Sequence, residues 1–158
     1  MEYRPITDAG RDAVSAFIRE RWHGTDMIVH GERIDMKRAS GVAAWDGDAI
    51  AGLVTYRIAN RECEILSLDS LRQGRGTGSA LISQVVRVAR DMRCHRVKVT
   101  TTNDNFGALH FYQKRGFAMI RLYVNAIETA RRMKPSIPLR GHNGIPIRDE
   151  IELVMEVT

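Results

Sequence analysis

Cysteine is nearly missing from this chain: Cys63 and Cys94 are the only two among 158 residues. Neither a disulfide framework nor a zinc site can be built from them. No histidine stands at metal-ligand spacing, and both fall in or beside strand-like runs, where a small buried thiol is at home. No metal is expected. Aromatic residues are also scarce, 6% against 44% hydrophobic overall, so the core must be mainly aliphatic. At this length the chain, 1–158, reads as a single domain with enough apolar residues to fold alone. No apolar run approaches the ~20 residues that a bilayer span needs. Met1-Glu2-Tyr3-Arg4-Pro5 opens without a signal-peptide pattern, so a cytoplasmic protein with no membrane association is expected. A net charge of +5 raises nucleic acid as a partner. The basic residues are spread out, however, and no recognition module accompanies them; an anionic ligand accounts for part of the excess equally well, and nucleic acid is not expected.

What the chain does have is a cluster of glycines. Gln73-Gly74-Arg75-Gly76-Thr77-Gly78 lies between a strand-like run, Cys63 to Leu68, and a helix-like run, Ser79 to Met92. Glycines at a strand-to-helix junction expose backbone N–H groups on the positive end of the helix dipole, where a phosphate or pyrophosphate is stabilised. The loop is no nucleotide triphosphate loop, because Gly78 is followed by Ser79-Ala80 rather than by Lys and a hydroxyl residue. Neither glycine frame completes the dinucleotide pattern G-x-G-x-x-G. The spacing that fits is Q-x-x-G-x-G, from Gln73, Gly76 and Gly78.

A second motif follows about thirty residues later: Asn105-Phe106-Gly107-Ala108-Leu109-His110-Phe111-Tyr112-Gln113-Lys114-Arg115-Gly116-Phe117. Asn105 is a good N-cap, Gly116 suits a left-handed C-cap, and Phe117 begins the next strand. Asn105, Ala108 and Tyr112 recur at helical spacing on one stripe, which Ala108 keeps thin enough for a ligand arm. His110 lies about 200° around the same helix from Tyr112 and reads as a surface residue. The two segments together resemble the GNAT N-acetyltransferase superfamily. The first is similar to its acyl-CoA pyrophosphate loop, and the second fills every fixed position of N-x-x-A-x-x-F-Y-x-x-x-G-F. The resemblance is strongest from Glu62 to Phe117.

The order of elements agrees with that resemblance. A short strand at Tyr3 to Ile6 leads to a helix capped by Thr7-Asp8 and running to about Arg21, with Val14, Phe17 and Ile18 inward. Residues 22 to 40, carrying Trp22, His23 and His30, read as a second helix or a loop. Val42 to Trp45, Ala49 to Ile58 and Glu62 to Leu68 form a three-stranded antiparallel meander around Asp46-Gly47-Asp48 and Asn60-Arg61. After the glycine loop comes a helix with Leu81, Val85, Val88 and Met92 on its apolar side, then a strand from Arg96 to Thr101, the Asn105 helix and a strand from Phe117 to Val124. The resemblance implies a mixed α/β fold of the GNAT acyl-CoA N-acyltransferase type, a central, mostly antiparallel sheet flanked by helices. Residues 126 to 147, a short helix stopped by Pro135 and a loop with an Asn-Gly turn, form an unusual insertion before a last strand, Glu150 to Val157. It is expected to be a lid or wall of the acceptor site, or a homodimer contact.

The activity implied is transfer of the acetyl group of acetyl-CoA, a cosubstrate, to an amine-bearing small molecule or peptide. A lysine-type amine is mostly protonated at neutral pH, which costs on the order of 4 kcal/mol, so a base is useful. Glu62 and Glu64 share one face of their strand by alternation, with Leu66 and Leu68. Either serves as the base, directly or through water, or else pairs with Arg57 or Arg61. By resemblance, the Leu68 N–H polarises the thioester oxygen, Asp69 and Ser70 continue along the pantetheine, and Tyr112 protonates the leaving thiolate. Asn105 bonds the pantetheine arm or opens its helix. Arg75 and the amides of Gly74, Gly76, Thr77, Gly78 and Ser79 neutralise the pyrophosphate. Arg140 or Arg148 offers a clamp for a carboxylate or phosphate beside the acceptor amine. His30 and His142 have no partner that the sequence locates. The alternative reading is a CoA-binding regulatory module without useful catalysis.

Overall fold

A computed structural model describes residues 1–22, 24–141 and 143–158, and His23 and His142 lie outside the described residues. In chain order the elements are β1 (Glu2–Pro5), α1 (Arg11–Trp22), β2 (Asp26–Val29), β3 (Glu32–Asp35), β4 (Ser40–Asp46), β5 (Ala49–Ala59), β6 (Glu62–Ser70), α2 (Thr77–Asp91), β7 (Arg96–Thr102), α3 (Phe106–Lys114), β8 (Ala118–Tyr123), α4 (Ala126–Met133) and β9 (Glu150–Glu156). The fold is mixed α/β, with mostly antiparallel sheet and flanking helices. The chain divides into two compact units. One comprises Met1–Asp26, Asp35–Val97 and Glu156–Thr158, the other Met27–Ile34 and Lys98–Met155.

In the first unit the strands run in the order β1-β4-β5-β6, each neighbouring pair antiparallel. The expected meander is present. Both of its turns hold two residues: Asp46 pairs with Ala49 around Gly47 at φ 64°, and Ala59 pairs with Glu62 around Asn60 and Arg61, both at positive φ. Positive φ at the centre of such turns matches the right-handed twist of the strands they join. α1 buries Val14, Phe17 and Ile18 as its periodicity predicts. It starts at Arg11, after a 3₁₀ turn over Asp8–Gly10, and Thr7 makes no side-chain cap. Gly10, a poor residue inside a helix, separates the turn from the helix proper.

Two details depart from the sequence pattern. Thr55 pairs with Ser67 while Tyr56 pairs with Ile65, so Leu66 is an extra residue on β6 and the strict alternation expected from Glu62 to Leu68 is broken there. A bulge of this kind bends the strand and re-aims the residues beyond it. Below it, Thr55 and Ser67 bury their hydroxyls at 2.6 Å from one another. In α2 the inward side is Leu81, Ile82, Val85 and Ala89, whereas Met92 is 61% exposed because the helix ends at Asp91.

α2 sits hard against β5 because Gly52 has no side chain. A Cβ there would lie 2.8 Å from Thr77 Cγ2, 3.1 Å from Asp69 O and 3.2 Å from Leu81 Cδ1. Cys63 and Cys94 are free and buried, and burial pushes the Cys63 thiol up to about 12.

In the second unit the sheet order is β7-β9-β8, with β8 and β9 antiparallel, and α3 and α4 belong to the same unit. Residues 26 to 35, read from the sequence as part of a helix or loop, form a hairpin of β2 and β3. Its strands are four residues each, too short for a clear alternation, and its turn is His30-Gly31 rather than a familiar Asn-Gly.

Gly52→Ala is expected to lower unfolding stability by about 1–3 kcal/mol through overpacking. A denaturant midpoint equal to that of the wild type would show that α2 shifts freely on the sheet.

Candidate active site

The glycine loop occupies the connection from Ser70 on β6 to Thr77 on α2. Residues 71 to 76 are exposed, Gln73 and Arg75 among them. Gly74 and Gly76 hold φ of 76° and 79°, with open space where a Cβ would stand, so conformation and not crowding is what requires glycine. The first intrahelical bond runs from Ala80 N–H to Gly76 O at 3.0 Å. The amides of Thr77 and Gly78 precede it, where a helix has no acceptor of its own to offer. Thr77 contributes only its backbone in this direction, since its side chain is pressed against Gly52. Arg72 anchors the loop to Asp46 at 2.7 Å.

Along β6 both candidate bases meet guanidinium groups. Glu64, buried, accepts from Arg57 Nε at 2.7 Å, and Glu62 accepts from Arg96 Nε. Arg57 is a partner expected from the sequence; Arg96, not Arg61, is the partner of Glu62. Leu68, Asp69 and Ser70 are half-buried past the bulge. The Asp69 carboxylate accepts from Trp22 Nε1 at 2.7 Å, with Arg21 at 3.5 Å. Burial raises its pKa, and Trp22 and Arg21 oppose that shift. Asp69 thus ties the end of α1 to the strand that leads into the glycine loop.

In the second unit Asn105 caps α3, its Oδ1 accepting from Ala108 N–H at 3.1 Å. Gly116 follows the helix at φ 97°. Tyr112 is buried, its ring edge-on to Phe111 at 5.2 Å and to Phe117 at 5.3 Å, so two aromatic neighbours fix its direction. His110 is exposed, as its helical position predicts.

Within the described residues of 126 to 147, side chains bond to the backbone of the segment. Arg131 donates to the carbonyls of Ile137, Pro138 and Ile147, and Arg140 pairs with Pro146 as an isolated bridge. The loop rests on the β7–α3 turn. A Cβ on Gly141 would collide with the Asp104 carboxylate, and Asn103 donates to Pro146 O while accepting from Arg148 N–H and Asp149 N–H. Arg148 is committed to Asp149 through two nitrogens, at 2.8 and 2.9 Å.

One cluster escaped sequence reasoning. His30 contacts Glu150, Glu152, Thr100 and Tyr123. Its partly legible signal is the pair Glu150 and Glu152 on one face of β9, but nothing in the sequence ties a histidine 120 residues earlier to them. A cleft of about 510 Å³ in the first unit, lined among others by Arg4, Trp45 and Asp48, includes none of the predicted site residues. Among the described residues no group of His, Cys, Asp and Glu could hold a metal ion, and no helix is long and apolar enough to cross a membrane.

The sequence model of the acetyltransferase (GNAT) family matches residues 8–117. The chain belongs to that family and is an acyltransferase of the GNAT type. It is 42% identical over 158 residues to the uncharacterized protein YxbD of Bacillus subtilis, covering 99% of each chain. Among solved structures it is similar to an IAA acetyltransferase from Bacillus cereus, with a TM-score of 0.74 and 22% identity over 98% of both chains. A Bacillus subtilis acetyltransferase in complex with CoA gives a TM-score of 0.68 and 19% identity, covering 99% of this chain and 100% of that one.

The Arg148 guanidinium beside Asp149 holds its carboxyl below the usual range, against burial and with help from the Asn125 N–H. That stabilisation is present above the ordinary carboxylate pKa, ~3.9, and is lost as pH falls through the depressed value. Asp149→Asn is expected to be less stable at neutral pH and to lose less stability on acidification than the wild type. Parallel pH–stability curves for the two proteins would count against the pair.

Proposed function

We propose that this protein transfers the acetyl group of acetyl-CoA to a primary amine of a small molecule or peptide, by direct attack in a ternary complex. The observation that carries the reading is the Q-x-x-G-x-G loop, with Gly74 and Gly76 in left-handed conformation directly ahead of α2. Such a loop suits a pyrophosphate, with the amides of Gly74, Gly76, Thr77, Gly78 and Ser79 as donors and Arg75 and Gln73 beside them. Asp69, Ser70, Asn105 and Ala108 take the pantetheine arm, and the Leu68 N–H polarises the thioester oxygen. The CoA bound to the Bacillus subtilis neighbour is consistent with this choice of cosubstrate.

In the reaction the amine nitrogen attacks the thioester carbon, the C–S bond breaks, and the thiolate takes a proton from the Tyr112 hydroxyl. The Tyr112 ring is packed edge-on against Phe111 and Phe117, which limits its rotation. The β6 carboxylates Glu62 and Glu64 are the strand's own candidates for the amine proton. Arg148 is bound to Asp149 and Arg140 donates to Gly144 O at 2.7 Å, so either would have to exchange a bond within the protein to clamp an acidic group on the acceptor. The protein works in the cytoplasm. It pairs as a homodimer, a reading supported by the apolar exposure along and beyond β8, where Met119 is 46%, Leu122 54% and Val124 59% exposed; sedimentation showing only monomer at high concentration would exclude it.

Calorimetric titration is expected to show selective binding of acetyl-CoA and CoA over ATP and NAD, and thiol release should follow with an amine drawn from amino acids, polyamines, aminoglycosides and peptides. Binding without turnover would support a CoA-sensing module instead. Tyr112→Phe should lose about 10²-fold in kcat with CoA affinity unchanged; wild-type turnover would remove Tyr112 from the acid role.

A further inference from the structure

The bulge at Leu66 decides which carboxylates of β6 share a face. Residues paired across antiparallel strands point to the same side of the sheet, and β5 runs without interruption through the paired stretch from Leu53 to Ala59. Glu62 pairs with Ala59, Glu64 with Arg57, Ser67 with Thr55 and Asp69 with Leu53, so all four β6 residues lie on one face. Without the extra residue, Asp69 would stand on the face opposite Glu64. The other face, marked by Gly52 and Ser70, is the one that Thr77 and Leu81 of α2 cover. Asp69 instead meets the end of α1, where it accepts from Trp22 Nε1 at 2.7 Å.

The neighbouring backbone suits the thioester role given above to the Leu68 N–H. Leu71 N–H donates to Ala51 O at 2.9 Å. Bonded and non-bonded pairs alternate along an antiparallel ladder, so Leu68, opposite Val54, directs its N–H to the edge of β6 away from β5. A thioester oxygen on that N–H brings the acyl carbon to the stretch of β6 that carries Asp69, whose side chain keeps 14% of its surface exposed. The carboxylates of this face differ in their partners. Glu62 and Glu64 each accept from an arginine Nε, at 2.7 Å for Glu64. Asp69 takes its short bond from an uncharged indole, and the guanidinium of Arg21 stands farther off, at 3.5 Å. A carboxylate held by a neutral donor keeps more of its basicity than one paired with a cation. We infer that Asp69 is the proton acceptor of the acetyl transfer, an assignment that rests on the function proposed above. As the amine nitrogen bonds the acyl carbon and the C–S bond breaks, the amine proton passes to a carboxylate oxygen of Asp69. CoA leaves as the thiolate, and the Asp69 acid then releases its proton to water.

Arg21 on α1 faces the Asp69 carboxylate, and the residue paired with Asp69 on β5 is the apolar Leu53. On its own strand the carboxylates of the same face, Glu62 and Glu64, are engaged by Arg96 and Arg57. Burial leads in raising the Asp69 pKa above its ordinary value, and the Trp22 hydrogen bond and Arg21 oppose it. Turnover should therefore climb with pH through a value above the ordinary ~3.9 of an aspartate, as Asp69 ionises. Loss of the Trp22 hydrogen bond should carry that limb to still higher pH.

The test is thiol release from acetyl-CoA with the fastest amine of the panel above, followed as kcat against pH for wild type, Asp69→Asn, Asp69→Ala and Trp22→Phe. Asn keeps an oxygen for the Trp22 N–H, and acetyl-CoA calorimetry on each variant checks the cosubstrate site. Asp69→Asn should lose about 10²-fold in kcat at neutral pH together with the acid limb of the profile. Added formate should restore part of the rate of Asp69→Ala, and Trp22→Phe should move the limb to higher pH. An Asp69→Asn protein that keeps both rate and limb overturns the assignment. So does loss of rate with the limb retained and no rescue by formate, which would mark Asp69 as a tie between α1 and β6 alone. Where the Asp69 variants fail to bind acetyl-CoA, Trp22→Phe decides: an unmoved limb overturns the assignment, and a shift to higher pH upholds it. Absence of wild-type turnover with every amine would instead overturn the transferase reading, and this assignment with it.

Discussion

The absence of a side chain at Gly52 is the constraint on which the first unit depends. Because nothing projects from β5 at that point, Thr77 and Leu81 pack directly onto the strand, with Asp69 O beside them. That contact fixes where α2 begins relative to the end of β6, and so sets the span that residues 71 to 76 must bridge. Two glycines at positive φ, Gly74 and Gly76, close that span. The bulge at Leu66 acts on the same strand from the other side, bending β6 so that Leu68, Asp69 and Ser70 leave the buried register of Cys63 to Ser67. Packing, backbone conformation and the candidate anion site are thus consequences of one close approach.

Polar organisation dominates the second unit. Asn103 takes two backbone N–H groups and gives one bond to Pro146, Arg131 ties three carbonyls of the insertion, and Asp149 holds Arg148 and the Asn125 N–H. Among the described residues of this long connection, these bonds offset the cost of ordering it and hold it on the turn that opens α3. The same unit buries Glu150 and Glu152, and the imidazole of His30 supplies the partner that buried carboxylates need.

Much of the fold was legible because its signals are local. The turns at Asp46-Gly47-Asp48 and Asn60-Arg61, the cap at Asn105, the left-handed Gly116 and the inward face of α1 each follow from a few neighbouring residues, and the structure places them as read. Signals that depend on distant neighbours were not legible. The four-residue strands of the β2–β3 hairpin carry too little alternation to identify. The extra residue at Leu66 is invisible without its partner strand. The exposure of Met92 depended on the helix ending at Asp91, one residue earlier than its apolar spacing suggested.

By itself the sequence determined the family, the mixed α/β class, the place of the glycine loop and the helix carrying Asn105 and Tyr112, since each rests on residue identity at fixed short spacing. Tertiary structure alone decided which charges meet: Glu62 with Arg96, Asp69 with Trp22 and Arg21, and His30 with Glu150 and Glu152. Local periodicity places a side chain on a face of its own element, but only the packing of one element on another brings two such faces within hydrogen-bonding distance.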